Sequence, residues 1–140
     1  MEVEAQPLRT DCEHAWQLTA DKRTVETWRN EVGIAARTLG ADRDAVHVAR
    51  LGATELLSNV CKHVEVPSCE LVVERDGDVL CVRLFDHSTK VPYVKTPALL
   101  SDSGRGLWLL REMTKAMGYT LTPGGKWVWF HCVVTTCGEQ

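Results

Sequence analysis

Glu55, Asn59 and His63 recur at four-residue spacing in the stretch Ala53-Thr54-Glu55-Leu56-Leu57-Ser58-Asn59-Val60-Cys61-Lys62-His63-Val64. If this stretch is helical, a carboxylate, an amide and an imidazole share one stripe, with Lys62 at its edge. A carboxylate so placed can accept a proton from a hydroxyl or a water, and an amide oxygen can hold a hard cation such as magnesium. Leu56, Val60 and Val64, continued upstream by Ala49 and Ala53, form an adjacent apolar stripe that can face a sheet. A Glu and an Asn one turn apart are also the ordinary content of a solvated helix face, so the stripe acquires chemical meaning only through partners elsewhere.

Two further features supply such partners. Asp86 ends the alternating run Val79 to Asp86, and a carboxylate at the end of a buried strand can accept a hydrogen bond from an exocyclic amine such as that of adenine. Ser103-Gly104-Arg105-Gly106 opens a run in which Leu107, Leu110, Met113 and Met117 repeat at helical spacing. A helix start preceded by glycines presents free N–H groups and a positive dipole end, which suits phosphate. Together the three features fit a nucleotide.

The elements that must position these residues are legible from periodicity. Residues 1–12 read as a loose leader, 13–136 as one domain and 137–140 as a tail. His14 to Thr19 alternates as a strand with Trp16 and Leu18 inward. Asp21 is an N-cap for a first helix in which Val25, Trp28, Val32, Ala35, Ala36 and Leu39 share a face until Gly40. Asp42 or Asp44 caps a second helix that runs to about Val64 and is stopped by Pro67. Cys69 to Arg75 and Val79 to Asp86 form a hairpin about Asp76-Gly77. Residues 87–103, aperiodic and holding Pro92 and Pro97, read as a long surface loop. The third helix, Leu107 to Met117, is followed by a closing hairpin of Tyr119 to Thr122 and Lys126 to Val134 about Pro123-Gly124-Gly125. This order predicts an α+β, two-layer sandwich with three helices on one face of a mixed, largely antiparallel sheet.

Composition narrows the function. The chain has 140 residues, 44% apolar and 25% charged, with 16 basic against 19 acidic residues. That is one domain of ordinary globular character. No basic cluster of the kind nucleic-acid binding needs is apparent in the sequence, and no run approaches the roughly 18 apolar residues of a membrane span. The six cysteines contain no C-x-x-C pair, which argues against a zinc ribbon. With an acidic, apolar-poor N-terminus in place of a secretory signal, reduced cysteines in a cytoplasmic protein are expected.

In order and spacing, Glu-Leu-Leu-Ser-Asn-Val-Cys-Lys-His (55 to 63), Leu-Phe-Asp-His-Ser (84 to 88) and Ser-Gly-Arg-Gly-Leu-Trp-Leu-Leu (103 to 110) resemble the motifs of the GHKL, or Bergerat, ATP-binding fold. The likeness is to its small stand-alone branch, the anti-sigma factor serine/threonine kinases, and it covers the chain from the first helix to the last hairpin. The resemblance implies ATP and Mg2+ as cofactors, with Glu55 as general base, Asn59 on magnesium and Asp86 on adenine. It places Lys62, Gly104, Arg105, Gly106 and Leu107 near the phosphates. It further implies a sigma factor and an anti-anti-sigma factor with a STAS domain as partners, and a homodimer formed through the first strand and the outer face of the sheet. The family's Asp-x-Gly-x-Gly pattern is altered here, with Ser88 at the first glycine, adding a Cβ and a hydroxyl to the adenine pocket. That alteration favours a rival function, a binding module of the same fold that sequesters a regulator without phosphoryl transfer. A detached histidine-kinase catalytic domain would want Asn at 55, and a simple ATPase usually needs further domains.

Overall fold

The computed structural model describes residues 12–90 and 113–135. Five strands and two α-helices are seen among them: β1 (Glu13–Thr19), α1 (Val25–Thr38), α2 (Arg43–His63), β2 (Ser68–Asp76), β3 (Val79–Asp86), β4 (Ala116–Thr122) and β5 (Gly125–Val133). The strands form one sheet in the order β1-β2-β3-β5-β4, and every pairing is antiparallel, so the expected mixed character is corrected.

Period-two alternation sorts the sheet into two faces. Leu18, Cys69, Leu71, Val73, Leu80, Val82, Leu84, Val128, Phe130 and Cys132 turn inward and join the helices in one core. From α1 that core takes Val32, Ala35, Ala36 and Leu39, and from α2 Ala45, Val46, Ala49, Ala53, Leu56, Leu57 and Val60. These are the apolar stripes read from the sequence. Trp16 of β1 meets Trp28 of α1 edge to face, with ring centroids 5.9 Å apart. Phe130 is fully buried beneath Gly52 of α2, and a Cβ at position 52 would collide with its ring. A glycine that would weaken an exposed helix by about 1 kcal/mol is here what lets helix and sheet close on each other.

The ends of the elements follow local chemistry. Asp21 does cap, but what it caps is a single 3-10 turn, Lys22–Thr24, through a 2.9 Å bond accepted from the Arg23 N–H, and α1 proper begins at Val25. Gly40 and Gly77 take positive φ, closing α1 and the β2–β3 turn as glycine alone does easily. Arg75 of β2 donates a 2.8 Å bond to the Leu39 carbonyl, satisfying a carbonyl at the end of α1. Asp42 stands at the N-cap of α2, yet its carboxylate accepts from the Thr135 N–H at 2.9 Å and does not bond the helix.

The expected third helix is corrected at its end. Ala116 and Met117 belong to β4, where Met117 lies opposite Phe130 and packs against the core from the strand. The rest of that helix, apart from Met113 to Lys115, lies outside the described residues, as do Gly104, Arg105, Gly106 and Leu107.

The second face of the sheet carries Phe85, Trp127, Trp129, His131 and Arg83. Phe85 and Trp127 are 5.4 Å apart, Trp129 and His131 4.9 Å, and the Arg83 guanidinium sits 4.6 Å over Trp127. All five are half-buried, and neither described helix covers them.

Candidate nucleotide site

On α2, Glu55 and Asn59 are both half-buried, one turn apart, while Lys62 and His63 are exposed at the helix end. Burial raises the Glu55 carboxyl above the ordinary glutamate range, and the Lys62 ammonium partly offsets the rise. A carboxylate so placed is a better proton acceptor than one in open water. Glu55, Asn59 and Lys62 are therefore gathered on one helix, as the spacing predicts.

The end of β3 is built differently from expectation. Asp86 is only 3% exposed, and its Oδ1 accepts two bonds: 2.9 Å from the Lys126 ammonium and 2.9 Å from the Ser88 N–H. Lys126, 5% exposed, also donates to the Ser88 carbonyl at 3.2 Å. The Ser88 hydroxyl accepts from the Lys90 N–H at 3.1 Å, so the added side chain braces its own loop. Gly125 is needed beside them, because a Cβ there would run into the Asp86 carbonyl and the Phe85 ring.

Lys126 is the functional candidate that sequence reasoning missed. The signal was present: in Lys126-Trp127-Val128-Trp129-Phe130 the lysine falls in the inward phase, level with Val128 and Phe130. A charge in that phase requires a buried partner, and the cross-strand pair Asp86↔Lys126 supplies it.

Cys69 of β2 is buried in the core. Its thiol is pushed up to about 11, chiefly by burial, with further contributions from the negative charge of Asp86 and from Cys61 of α2. Cys81 and Cys132 are likewise pushed up, to about 11 and about 12, mainly by burial, and remain protonated thiols. The cysteines at 12, 61, 69, 81 and 132 are all free, as expected of reduced residues, and Cys137 lies outside the described residues. Among the described residues no cluster of three His, Cys, Asp or Glu side chains could hold a metal, and no helix is long and apolar enough to cross a membrane.

The chain thus combines a helix-on-sheet sandwich with a half-buried glutamate–asparagine stripe on α2 and a buried aspartate at the end of β3. A family model for the histidine kinase-like ATPase domain matches residues 18–132, and the chain belongs to that family. Its structure is similar to that of the RsbU and RsbW domains of Rv1364c from Mycobacterium tuberculosis, with a TM-score of 0.67 at 12% sequence identity. The likeness covers 87% of this chain and 32% of that one, so the chain spans about a third of the solved protein's length. No curated protein matches the sequence.

Lys126→Met leaves the Asp86 carboxylate buried without its cation, and a loss of about 3–5 kcal/mol in urea unfolding is expected. Asp86→Leu combined with Lys126→Met is expected to recover most of that loss. A single variant as stable as the parent would show that the pair does not hold this end of the sheet together.

Because the folded state raises the Glu55 pKa, it binds this proton more tightly than the unfolded chain does. The ionised carboxylate therefore carries a penalty that is fully present above the folded pKa. The penalty vanishes as pH falls below the unfolded value near 4.5. Glu55→Gln is accordingly expected to raise the melting temperature at pH 7 to 8, with the gain shrinking as pH falls toward 4.5. A constant gain across that range would mean that titration of Glu55 is not its source.

Proposed function

We propose that this protein is an ATP-binding anti-sigma factor that sequesters a sigma factor and phosphorylates a Ser or Thr of an anti-anti-sigma factor with a STAS domain. The observation that carries the reading is Glu55 and Asn59 one turn apart on a half-buried stripe of α2, in a fold that also buries Asp86 at the end of β3. Membership of an ATPase domain family and the structural likeness to a protein with an RsbW domain support it.

The side chains fit the nucleotide at both ends. Asn59 offers the hard oxygen donor that magnesium prefers, and Glu55 one turn away remains free to act as a base. At the base end, Asp86 and Lys126 put an acceptor and a donor 2.9 Å apart, complementary to the amine and adjacent ring nitrogen of adenine. When bound, ATP with magnesium supplies the phosphoryl group and the charge that neutralises it. Asn59 would hold the metal through its amide oxygen. Glu55 would take the proton of the partner's hydroxyl, a task its burial favours. Lys62, exposed at the helix end, would offer its ammonium to phosphate oxygens, and Gly104, Arg105, Gly106 and Leu107 are proposed to complete the phosphate side. A kinase that uses ATP and acts on a sigma factor would work in the cytoplasm. The aromatic face of Phe85, Trp127 and Trp129 would seat a second copy in a homodimer.

One observation favours a second reading. The Asp86 carboxylate already has internal donors in Lys126 and Ser88, so this end of the fold is satisfied without a base. Under that reading the protein binds its regulator without nucleotide and transfers no phosphoryl group.

Calorimetric titration with ATP and ADP, with and without magnesium, separates the two. Binding at about 1 μM, near −8 kcal/mol, is expected for the parent and for Glu55→Gln, and is expected to be lost in Asn59→Ala. Glu55→Gln is expected to abolish transfer to the partner. No heat at millimolar nucleotide would establish the second reading, and sedimentation of the same samples as monomers would remove the dimer.

A further inference from the structure

The helical layer carries a second concave site, between the C-terminal end of α1 and the N-terminal half of α2. Its volume is about 480 Å3, and it is lined by Arg37, Ala41, Arg43, Val46, His47 and Arg50. None of the residues assigned to nucleotide lines it. Three arginines and a histidine are among its lining residues, and no acidic residue lines it.

Clustered cations normally carry acidic partners. Among the described residues the arginine ion pairs are Arg23 with Asp21, Arg29 with Glu26, and Arg83 with Glu13 and Glu74. None involves Arg37, Arg43 or Arg50. Arg50 donates one 3.3 Å bond to the Asn30 side chain, while its Nε is buried with no acceptor. A buried donor without a partner marks a place where an acceptor is missing. The position of Arg50 is built in: its stem lies across α1 at Gly33, where a Cβ would stand 3.0 Å from the Arg50 Cδ. Arg43 is the first residue of α2, whose N-cap carboxylate is spent on the Thr135 N–H, so the positive end of a 21-residue helix at this rim is not capped by that side chain.

We propose that this cavity binds a small phosphorylated molecule. Arg37, Arg43 and Arg50 line one cavity with His47, and guanidinium groups are the donors best suited to the oxygens of a dianionic phosphoryl group. Ala41 and Val46 provide an apolar wall for the organic portion, and the volume falls in the range of small-molecule sites. This site is separate from the proposed nucleotide site and does not depend on it.

The direct readout is the Arg50 Nε–H signal of 15N-labelled full-length protein, titrated with inorganic phosphate and with phenyl phosphate at constant ionic strength. A saturable shift is expected with a dissociation constant of about 1 mM or tighter, phenyl phosphate binding more tightly than inorganic phosphate because of the apolar wall. Arg43 is exposed, so Arg43→Ala should fold normally; it is expected to weaken binding about tenfold. Asn59→Ala is expected to leave binding unchanged. A linear, non-saturating response, or full affinity in Arg43→Ala, would overturn the proposal. Weakening by Asn59→Ala would also overturn it, by placing the phosphate in the nucleotide site. A response to poly-glutamate without one to either phosphate would do the same, assigning the groove to an acidic protein segment.

Discussion

A carboxylate taken out of water must be given a cation or a set of donors, and much of this molecule's layout follows from meeting that demand at Asp86. The inward rows Leu80, Val82, Leu84 of β3 and Val128, Phe130, Cys132 of β5 are held in phase by antiparallel pairing. Extending each row by one step reaches Asp86 and Lys126, so the register that builds the core also forces the two charges together. Gly125 lets the strands approach, and Ser88 folds its backbone N–H and carbonyl back onto the pair. One end of the sheet is in this way polar and fully bonded while the rest of its inner face is oil-like.

The helical layer divides its surface along the same lines. α2 gives its small and branched residues to the sheet and keeps Glu55 and Asn59 at the boundary between core and solvent, where a carboxylate is neither fully hydrated nor fully excluded. Its first half instead contributes the arginines Arg43 and Arg50, with His47, to the groove against α1. An acidic stripe end and a basic groove on a single helix give the molecule two chemically distinct sites on one rigid element, although its net charge of -3 is unremarkable.

Much of this was legible in the sequence, and for stated reasons. Val25, Trp28, Val32, Ala35, Ala36 and Leu39 read as one helical face because 3.6-residue spacing leaves few alternatives, and all six pack on the core. The Asp76-Gly77 turn and the limits of β2 and β3 followed from alternation and turn chemistry within a residue or two. The Glu55 and Asn59 stripe needed only helical geometry. What failed was longer in range. The shift of Ala116 and Met117 from helix to strand depends on pairing with His131 and Phe130, which local periodicity does not report. Lys126 was passed over because a lysine near a Gly-Gly turn looks like a surface residue until its phase is compared with Val128 and Phe130. The groove of Arg37, Arg43, His47 and Arg50 is split between two helices, so no single stretch displays it as a basic cluster.

The strand order has a kinetic meaning as well. β5 lies between β3 and β4, so the part of the chain through β3 presents an open strand edge until the last hairpin arrives. Pairing Asp86 with a lysine 40 residues later is a long-range closure, the slow kind in folding. Before it happens Asp86 is an unpaired carboxylate at a hydrated edge; afterwards it is buried and bonded. Because Lys126 belongs to the final hairpin, a nascent chain is without the Asp86–Lys126 pair until that hairpin has docked.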